Sequence, residues 1–218
     1  MGCECEKPDE ANEELRAEQN EIKDLEQDYD LGINLNNSST RSHDGKPEEA
    51  FSLYIFDQIN ALRENPQSFI EVLEKAKSHI TLDKSGVKVY KSSVKVALNK
   101  GEEAFDKAIE VLEKTEPMKK LKYNPDFLIE LPTNELDVKS KEYLTDQVKL
   151  KLDAGIDVKS FWKDIVRDAE SCFILTIVDD SGKNAGNKRN DILNPENKYI
   201  GITTVRIGKS FSCYFFIG

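Results

Sequence analysis

The apolar positions between residues 51 and 114 repeat with a helical period. "SFIEVLEKAKSHI" predicts a helix with Ser68 as its cap, and "GEEAFDKAIEVLEK" predicts another. Before them, "EEAFSLYIFDQINALREN" predicts a helix that ends at Asn65, because the residue before a proline disfavours the α conformation. The apolar face of that first helix comprises Phe51, Leu53, Tyr54, Phe56, Ile59 and Leu62.

The second half of the chain pairs one predicted helix with a terminal hairpin. "SFWKDIVRDAESCFILTIVDD" is predicted to be helical, and its apolar end indicates burial, although that run alone could be a strand. "KYIGITTVRIGKSFSCYFFIG" contains two β-rich runs around a turn at Gly208, Lys209 and Ser210, which predicts a hairpin. Helices first and a hairpin last predict an α+β fold.

The residues before 50 differ from the rest in charge. Residues 1–50 contain 15 Asp or Glu and five Lys or Arg, whereas residues 51–218 contain 26 of each sign. We therefore predict an acidic, partly helical or disordered leader over residues 1–48 and a globular domain over 49–218. The thin helical stripe of the leader consists of Leu15, Ile22, Leu25 and Tyr29. The net charge of −10 argues against nucleic acid as a partner.

The opening "MGCECEKPDE" predicts lipid attachment. It lacks the basic start and the apolar stretch of about 7–15 residues that a secretory signal needs. Gly2 can carry a myristoyl chain once Met1 is removed, and Cys3 and Cys5 can carry palmitoyl chains. One myristoyl chain binds a membrane only marginally, and anionic lipid repels an acidic leader, so palmitate is the remaining second signal.

This reading places the protein at the cytoplasmic face of a membrane, and not among secreted proteins. Glu6 departs from the myristoylation pattern, which has Ser or Thr at that position. The alternatives are that the residues after the start codon have no such role, or that Cys3 and Cys5 form a redox or metal pair. In a reducing compartment, Cys172 and Cys213 are expected to be free, buried thiols.

Three blocks of the sequence resemble a divergent CAP domain, the family of cysteine-rich secretory, antigen 5 and pathogenesis-related proteins, also called SCP-like. "GEEAFDKAIEVLEKTEPMKKLKYNPDF" resembles the second block, and "FILTIVDDSGKNAGNKRNDILNPENKYIGI" resembles the third, typically VDDG…RGHRxNIFNPxFxxVGI. The resemblance implies a three-layer α-β-α sandwich over about residues 51–218. In the first block, "INALRENPQSFI", the matching residues are Asn60, Arg63, Asn65, Pro66 and Phe69.

The resemblance also implies a cleft with two histidines and two acidic residues, a set that can bind a divalent metal. This chain has two histidines, and both His43 and His79 lie outside the family's histidine blocks. Asn187 stands where the third block has histidine, and a neutral amide is a poor zinc ligand and no general base. The degenerate motif comprises Asp179, Asp180, Gly186, Asn187, Lys188 and Arg189. We therefore expect no metal and no cofactor.

Other candidate groups have structural interpretations. Asp179 and Asp180 could bind a cation with nearby asparagines, but without EF-hand spacing a structural role is favoured. Asp164 and Glu170 are interpreted as surface charges on a solvated helix face. Of the remaining candidates, a Cys172–His79 pair is conceivable but a buried Cys172 thiol is favoured, and Trp162 is expected to anchor the core.

Together these features predict a non-enzymatic, membrane-tethered CAP-like scaffold or interaction domain. Its expected partners are an intracellular membrane, bound through acyl chains, and a protein that the sequence does not identify. The first alternative is a lipid- or sterol-binding CAP protein, which would add a lipid ligand. The second alternative is a divergent metal-dependent hydrolase.

Overall fold

The computed structural model describes residues 47–91, 95–130 and 141–218. Gly2, Cys3, Cys5, His43 and the helical stripe of the leader lie outside the described residues. The described helices are α1 (Pro47–Glu64), α2 (Ile70–Lys77), α3 (Glu102–Lys114), α4 (Lys141–Asp153), α5 (Ala169–Val178) and α6 (Asn187–Ile192). The described strands are β1 (Ile80–Leu82), β2 (Lys88–Lys91), β3 (Lys95–Ala97), β4 (Lys122–Tyr123), β5 (Ser160–Val166), β6 (Tyr199–Ile207) and β7 (Ser210–Ile217).

α2 and α3 follow the predicted apolar pattern, but the apolar face predicted for α1 is only partly confirmed. Phe51, Ile59 and Leu62 are buried as predicted, and Tyr54 and Phe56 are partly buried. Leu53 is 40% exposed, and Ile55, which the predicted face leaves out, is fully buried.

Glu48 and Glu49 lie in the first turn of α1, where the positive end of the helix dipole stabilises their carboxylates. The helix ends at Glu64, just before Asn65. The predicted cap of α2 is wrong. Ser68 lies in a 3₁₀ turn, Pro66–Phe69, and its hydroxyl donates to the Asn65 carbonyl at 2.7 Å instead of capping α2.

Two sheets lie in the described body. The three-stranded sheet has the order β1-β2-β3 and is antiparallel; the sequence pattern did not predict it. The four-stranded sheet has the order β4-β6-β7-β5, and only its β4–β6 pair is parallel. The predicted terminal hairpin is confirmed as β6 and β7, although Ser210 opens β7 instead of belonging to the turn.

The predicted helix over residues 160–178 is wrong in its first part. Residues 160–166 form β5, which pairs with β7 over its whole length. The helical part, α5, begins after Asp168, whose carboxylate accepts a hydrogen bond from the Ser171 N–H at 2.7 Å. This N-cap marks the boundary between strand and helix.

Apolar cores cover both faces of the four-stranded sheet. One face packs against α1 and α5, and α3 packs on α5. On this face Trp162 stacks on Phe215 at 4.9 Å, which confirms its role as a core anchor. The other face packs against α4, with Leu144 and Val148 beside Phe216. Helices on both sides of one sheet make three layers, so the predicted α+β class is confirmed.

Candidate functional site

The degenerate motif forms the loop that joins α5 to α6, and Asp179 closes α5. Asp179 adopts a left-handed backbone with φ 46°, a conformation that Asp tolerates better than most residues. Its buried carboxylate accepts hydrogen bonds from the Ser181 hydroxyl at 2.5 Å and from the Lys188 N–H at 2.9 Å. Both carboxylate oxygens are therefore engaged in holding the loop.

Asp180 joins this loop to the start of α3. Its carboxylate accepts from the backbone N–H groups of Lys100 at 2.9 Å and Gly101 at 3.2 Å. The Asn99 side-chain amide donates to the Asp180 carbonyl at 2.5 Å. These contacts agree with the structural interpretation of the two aspartates, because their oxygens already have partners within the fold.

Lys188 forms an ion pair with Asp164. Lys188 Nζ lies 2.5 Å from Asp164 Oδ1, and the two side chains are only 19% and 21% exposed. Thr176 Oγ1 lies 3.3 Å from the second carboxylate oxygen of Asp164. The interpretation of Asp164 as a surface charge on a solvated helix face is therefore wrong: it lies on β5 and faces the loop.

Arg189 is a buried side chain that binds the last carbonyl groups of α5. Its guanidinium donates to the carbonyls of Ile177 at 2.9 Å and Val178 at 3.0 Å, and burial lowers its pKa. A Cβ on Gly186 would lie 2.7 Å from Arg189 Nη2, and Gly186 has φ +91°. Glycine is favoured here because of the positive φ, and a larger residue would also displace the end of the Arg189 side chain. Asn187, the first residue of α6, is exposed.

The residues of the first block bind the backbone of later segments. The Asn60 amide donates to the Leu121 carbonyl at 3.2 Å and accepts from the Leu121 N–H at 2.8 Å. The Arg63 guanidinium is 1% exposed, and burial lowers its pKa. It donates to four carbonyls, those of Lys119, Ile192, Asn194 and Asn197. These interactions explain why both motif residues are polar although they are buried.

The cysteines and His79 lie in different environments. Cys172 and Cys213 are both free and buried, as predicted. The interaction with the Cys213 thiol, together with burial, raises the pKa of Cys172 well above its ordinary value. His79 is exposed, and its ring centre lies 6.2 Å from that of Tyr90. Within residues 47–91, 95–130 and 141–218, no group of three or more His, Cys, Asp or Glu side chains could hold a metal ion.

A groove that the sequence did not predict lies between α1 and the edge of β6. Its volume is about 740 Å³, and its walls include Leu53, Phe56 and Ile202. Glu49 and Arg206 add charge at its lining. Leu53, which the sequence pattern assigns to the apolar face of α1, is 40% exposed, and this exposure is visible only in the folded structure. The remaining wall residues are Glu48, Ala50, Ser52, Tyr123, Leu128, Ile129, Thr203, Thr204 and Val205.

The comparisons with known proteins include a weak structural likeness. No protein-family model matches the chain, and no curated protein matches it. Among solved structures, a cysteine-rich secretory protein from Staphylococcus aureus subsp. aureus Mu50 is 12% identical to it, with a TM-score of 0.35. The match covers 83% of this chain and 44% of that chain, so the chain spans less than half of the neighbour's length.

None of the helices in the described part of the chain is both long enough and apolar enough to span a bilayer.

Proposed function

We propose that this protein is a non-enzymatic scaffold or interaction module with a CAP-like domain. It is tethered to the cytoplasmic face of a membrane by a myristoyl chain on Gly2 and palmitoyl chains on Cys3 and Cys5. One observation carries the non-enzymatic part: the charged side chains of the degenerate motif are bound within the fold. The residues concerned are Asp179, Asp180, Lys188 and Arg189.

Because of these contacts, the charged side chains of the loop are already bound to other groups of the protein. A general base must accept a proton from a substrate, and the oxygens of Asp179 and Asp180 already accept hydrogen bonds from the protein. Lys188 is engaged by Asp164, and the amide of Asn187 is neutral. To serve a reaction, these groups would have to give up bonds that fix the loop.

The tether is supported by the chemistry of the first five residues. A myristoyl chain and one or two palmitoyl chains together bind a bilayer stably, whereas one myristoyl chain does not. The acidic charge of residues 1–50 does not weaken a hydrophobic anchor of this kind, because the acyl chains bury themselves among lipid tails.

Salt washing of cell membranes tests the tether. We expect the full-length chain to stay with membranes in high salt, which removes electrostatic contacts but not acyl anchors. The Gly2→Ala, Cys3→Ser, Cys5→Ser variant should move to the soluble fraction. Gly32→Ala, a change of the same type elsewhere in the leader, should behave like the wild type. Retention of the triple variant on washed membranes would count against the proposal.

A second candidate function is the binding of a fatty acid or sterol in the groove between α1 and β6. The groove supports it because its volume of about 740 Å³ lies in the range of small-molecule sites, and its walls are mainly apolar. Leu53→Glu would place a carboxylate in the apolar part of that wall, and an apolar ligand would have to desolvate it.

Ligand uptake by delipidated protein tests this candidate. We expect the wild type to take up a fluorescent fatty acid or sterol, and Leu53→Glu to lose at least about tenfold in affinity. Leu150→Glu is the matched control, because Leu150 is 59% exposed on α4 and lies outside the groove. No uptake by the wild type, or an equal loss in both variants, would rule out this function.

A further inference from the structure

The turn between β1 and β2 presents apolar side chains to solvent. Leu82 is 68% exposed and Val87 is 43% exposed, and Lys84 lies between them on the turn. The Asp83 carboxylate fixes the turn from within, accepting hydrogen bonds from the Ser85 N–H at 2.8 Å, the Ser85 hydroxyl at 2.7 Å and the Val87 N–H at 2.9 Å. The apolar pair is therefore held on an ordered turn.

The segment that contains this turn is basic, in an acidic protein. Residues 75–101 contain seven lysines and one acidic residue, Asp83. Three of the lysines are balanced by carboxylates at the start of α3: Lys77 by Asp106, Lys88 by Glu102, and Lys100 by Glu103. Among described residues, the other four form no ion pair; they are Lys75, Lys84, Lys91 and Lys95, and all are exposed.

We propose that this hairpin, β1 to β2 with its turn, docks on the surface of an anionic bilayer. Leu82 and Val87 enter the interface between headgroups and acyl chains, and Lys84 meets the phosphate and carboxylate groups of the lipids. Apolar side chains next to lysine suit such a surface because burial of apolar area and attraction to anionic lipid add together.

The combination favours a membrane over other polyanions. A nucleic acid would attract the lysines, but its phosphate backbone offers no apolar environment in which Leu82 and Val87 could be buried. The hairpin is far in sequence from Gly2, Cys3 and Cys5, where the acyl chains are proposed. It would fix which side of the body faces the bilayer, which an acyl chain alone does not determine.

Vesicle binding by full-length protein made without an acyltransferase tests the apolar part. We expect it to bind phosphatidylcholine vesicles only when they contain phosphatidylserine, and to bind more weakly as salt rises. Leu82→Gln with Val87→Gln should lower the partition coefficient about tenfold or more. Leu150→Gln with Leu152→Gln is the matched control, because those side chains are 59% and 52% exposed on α4.

A second pair of variants tests the charge. Lys84→Gln should weaken binding to phosphatidylserine vesicles about fivefold, the contribution of one lysine near an anionic surface. Lys209→Gln, at the β6–β7 turn, should leave it unchanged. Thermal unfolding of each variant checks that these surface changes leave the fold intact.

Three results would overturn the proposal. They are no binding of the wild type to phosphatidylserine vesicles, equal losses in the hairpin and control variants, and binding to RNA or an acidic peptide in place of vesicles. Because the protein in these assays carries no acyl chain, a negative result leaves the acyl tether standing. Conversely, absence of acylation in cells leaves the hairpin result unaffected.

Discussion

Arg63 is the residue that joins α1 to the segments before β4 and after α6. Its guanidinium is buried and donates to the carbonyls of Lys119, Ile192, Asn194 and Asn197. The ammonium of a lysine cannot reproduce this planar set of donors. Removing the guanidinium leaves buried carbonyls without partners. The free energy lost in this way is larger than the contribution of a hydrogen bond at the surface.

We therefore expect Arg63→Lys to lower the free energy of unfolding by about 2–4 kcal/mol. Arg206→Lys, at an exposed position on β6, should change it by less than about 0.5 kcal/mol. Urea unfolding of the three proteins measures both effects. Equal stabilities of Arg63→Lys and the wild type would contradict the role assigned to the guanidinium.

Asn187 tests whether one residue separates this loop from a metal site. It is exposed at the start of α6, and within the described residues no His, Cys, Asp or Glu cluster accompanies it. We expect Asn187→His to bind no stoichiometric zinc, because a single imidazole is a weak ligand on its own. Elemental analysis of the purified variant checks this. One zinc per chain would show that a ligand set exists after all.

The raised pKa of the buried Cys172 thiol predicts that the stability depends on pH. The pKa of this thiol is raised in the folded state, so the unfolded chain loses the thiol proton at a lower pH than the folded protein does. The free energy of unfolding is therefore highest below pH about 8.5, the pKa of an unperturbed thiol, and falls as the pH rises above that value. We expect the free energy of unfolding to fall by up to about 1.4 kcal/mol per pH unit in this range. Cys172→Ala should flatten the profile relative to the wild type. Parallel profiles of the two proteins would contradict this account.

At the scale of elements, Asp180 fixes the α5–α6 loop to the start of α3. Removing its carboxylate leaves the N–H groups of Lys100 and Gly101 without these acceptors. We expect Asp180→Ala to lower the free energy of unfolding by about 1–3 kcal/mol. Asp146→Ala, at an exposed position within α4, should have an effect within about 0.5 kcal/mol. Thermal or urea unfolding compares the two, and equal effects would contradict the proposed link.

The elements differ in how well the sequence predicts them. α1 and α3 are predictable because their apolar faces are long and periodic, and the terminal hairpin because two β-rich runs flank a glycine turn. β5 was missed because a charged residue, Asp164, occupies the inward position between Trp162 and Val166. Its strand conformation depends on pairing with β7, a contact between distant parts of the sequence.

The same reason limits prediction of the candidate site. The sequence shows directly that Asn187 stands where the family it resembles has histidine. It cannot show the Asp164–Lys188 ion pair, because that contact requires the register of β5 and the position of the loop together. Similarly, β1 and β3 are three residues long, too short for a period-two pattern, so the basic hairpin emerges only in the folded structure.

At the scale of the whole molecule, the chain combines a three-layer α+β body with an acidic leader, and the net charge of −10 comes from residues 1–50. The proposed function assigns binding and scaffolding to the body and membrane attachment to the first five residues. Its central claim is therefore that the chain carries a lipid on Gly2.

Metabolic labelling with a clickable myristate analogue tests this claim most directly. Cells expressing the full-length wild type or Gly2→Ala receive the analogue, and the captured protein is assayed for label after hydroxylamine treatment, which removes thioester-linked chains but not the amide-linked chain. The account predicts label on the wild type and none on Gly2→Ala. Equal labelling of the two proteins, or no label on the wild type, would contradict it.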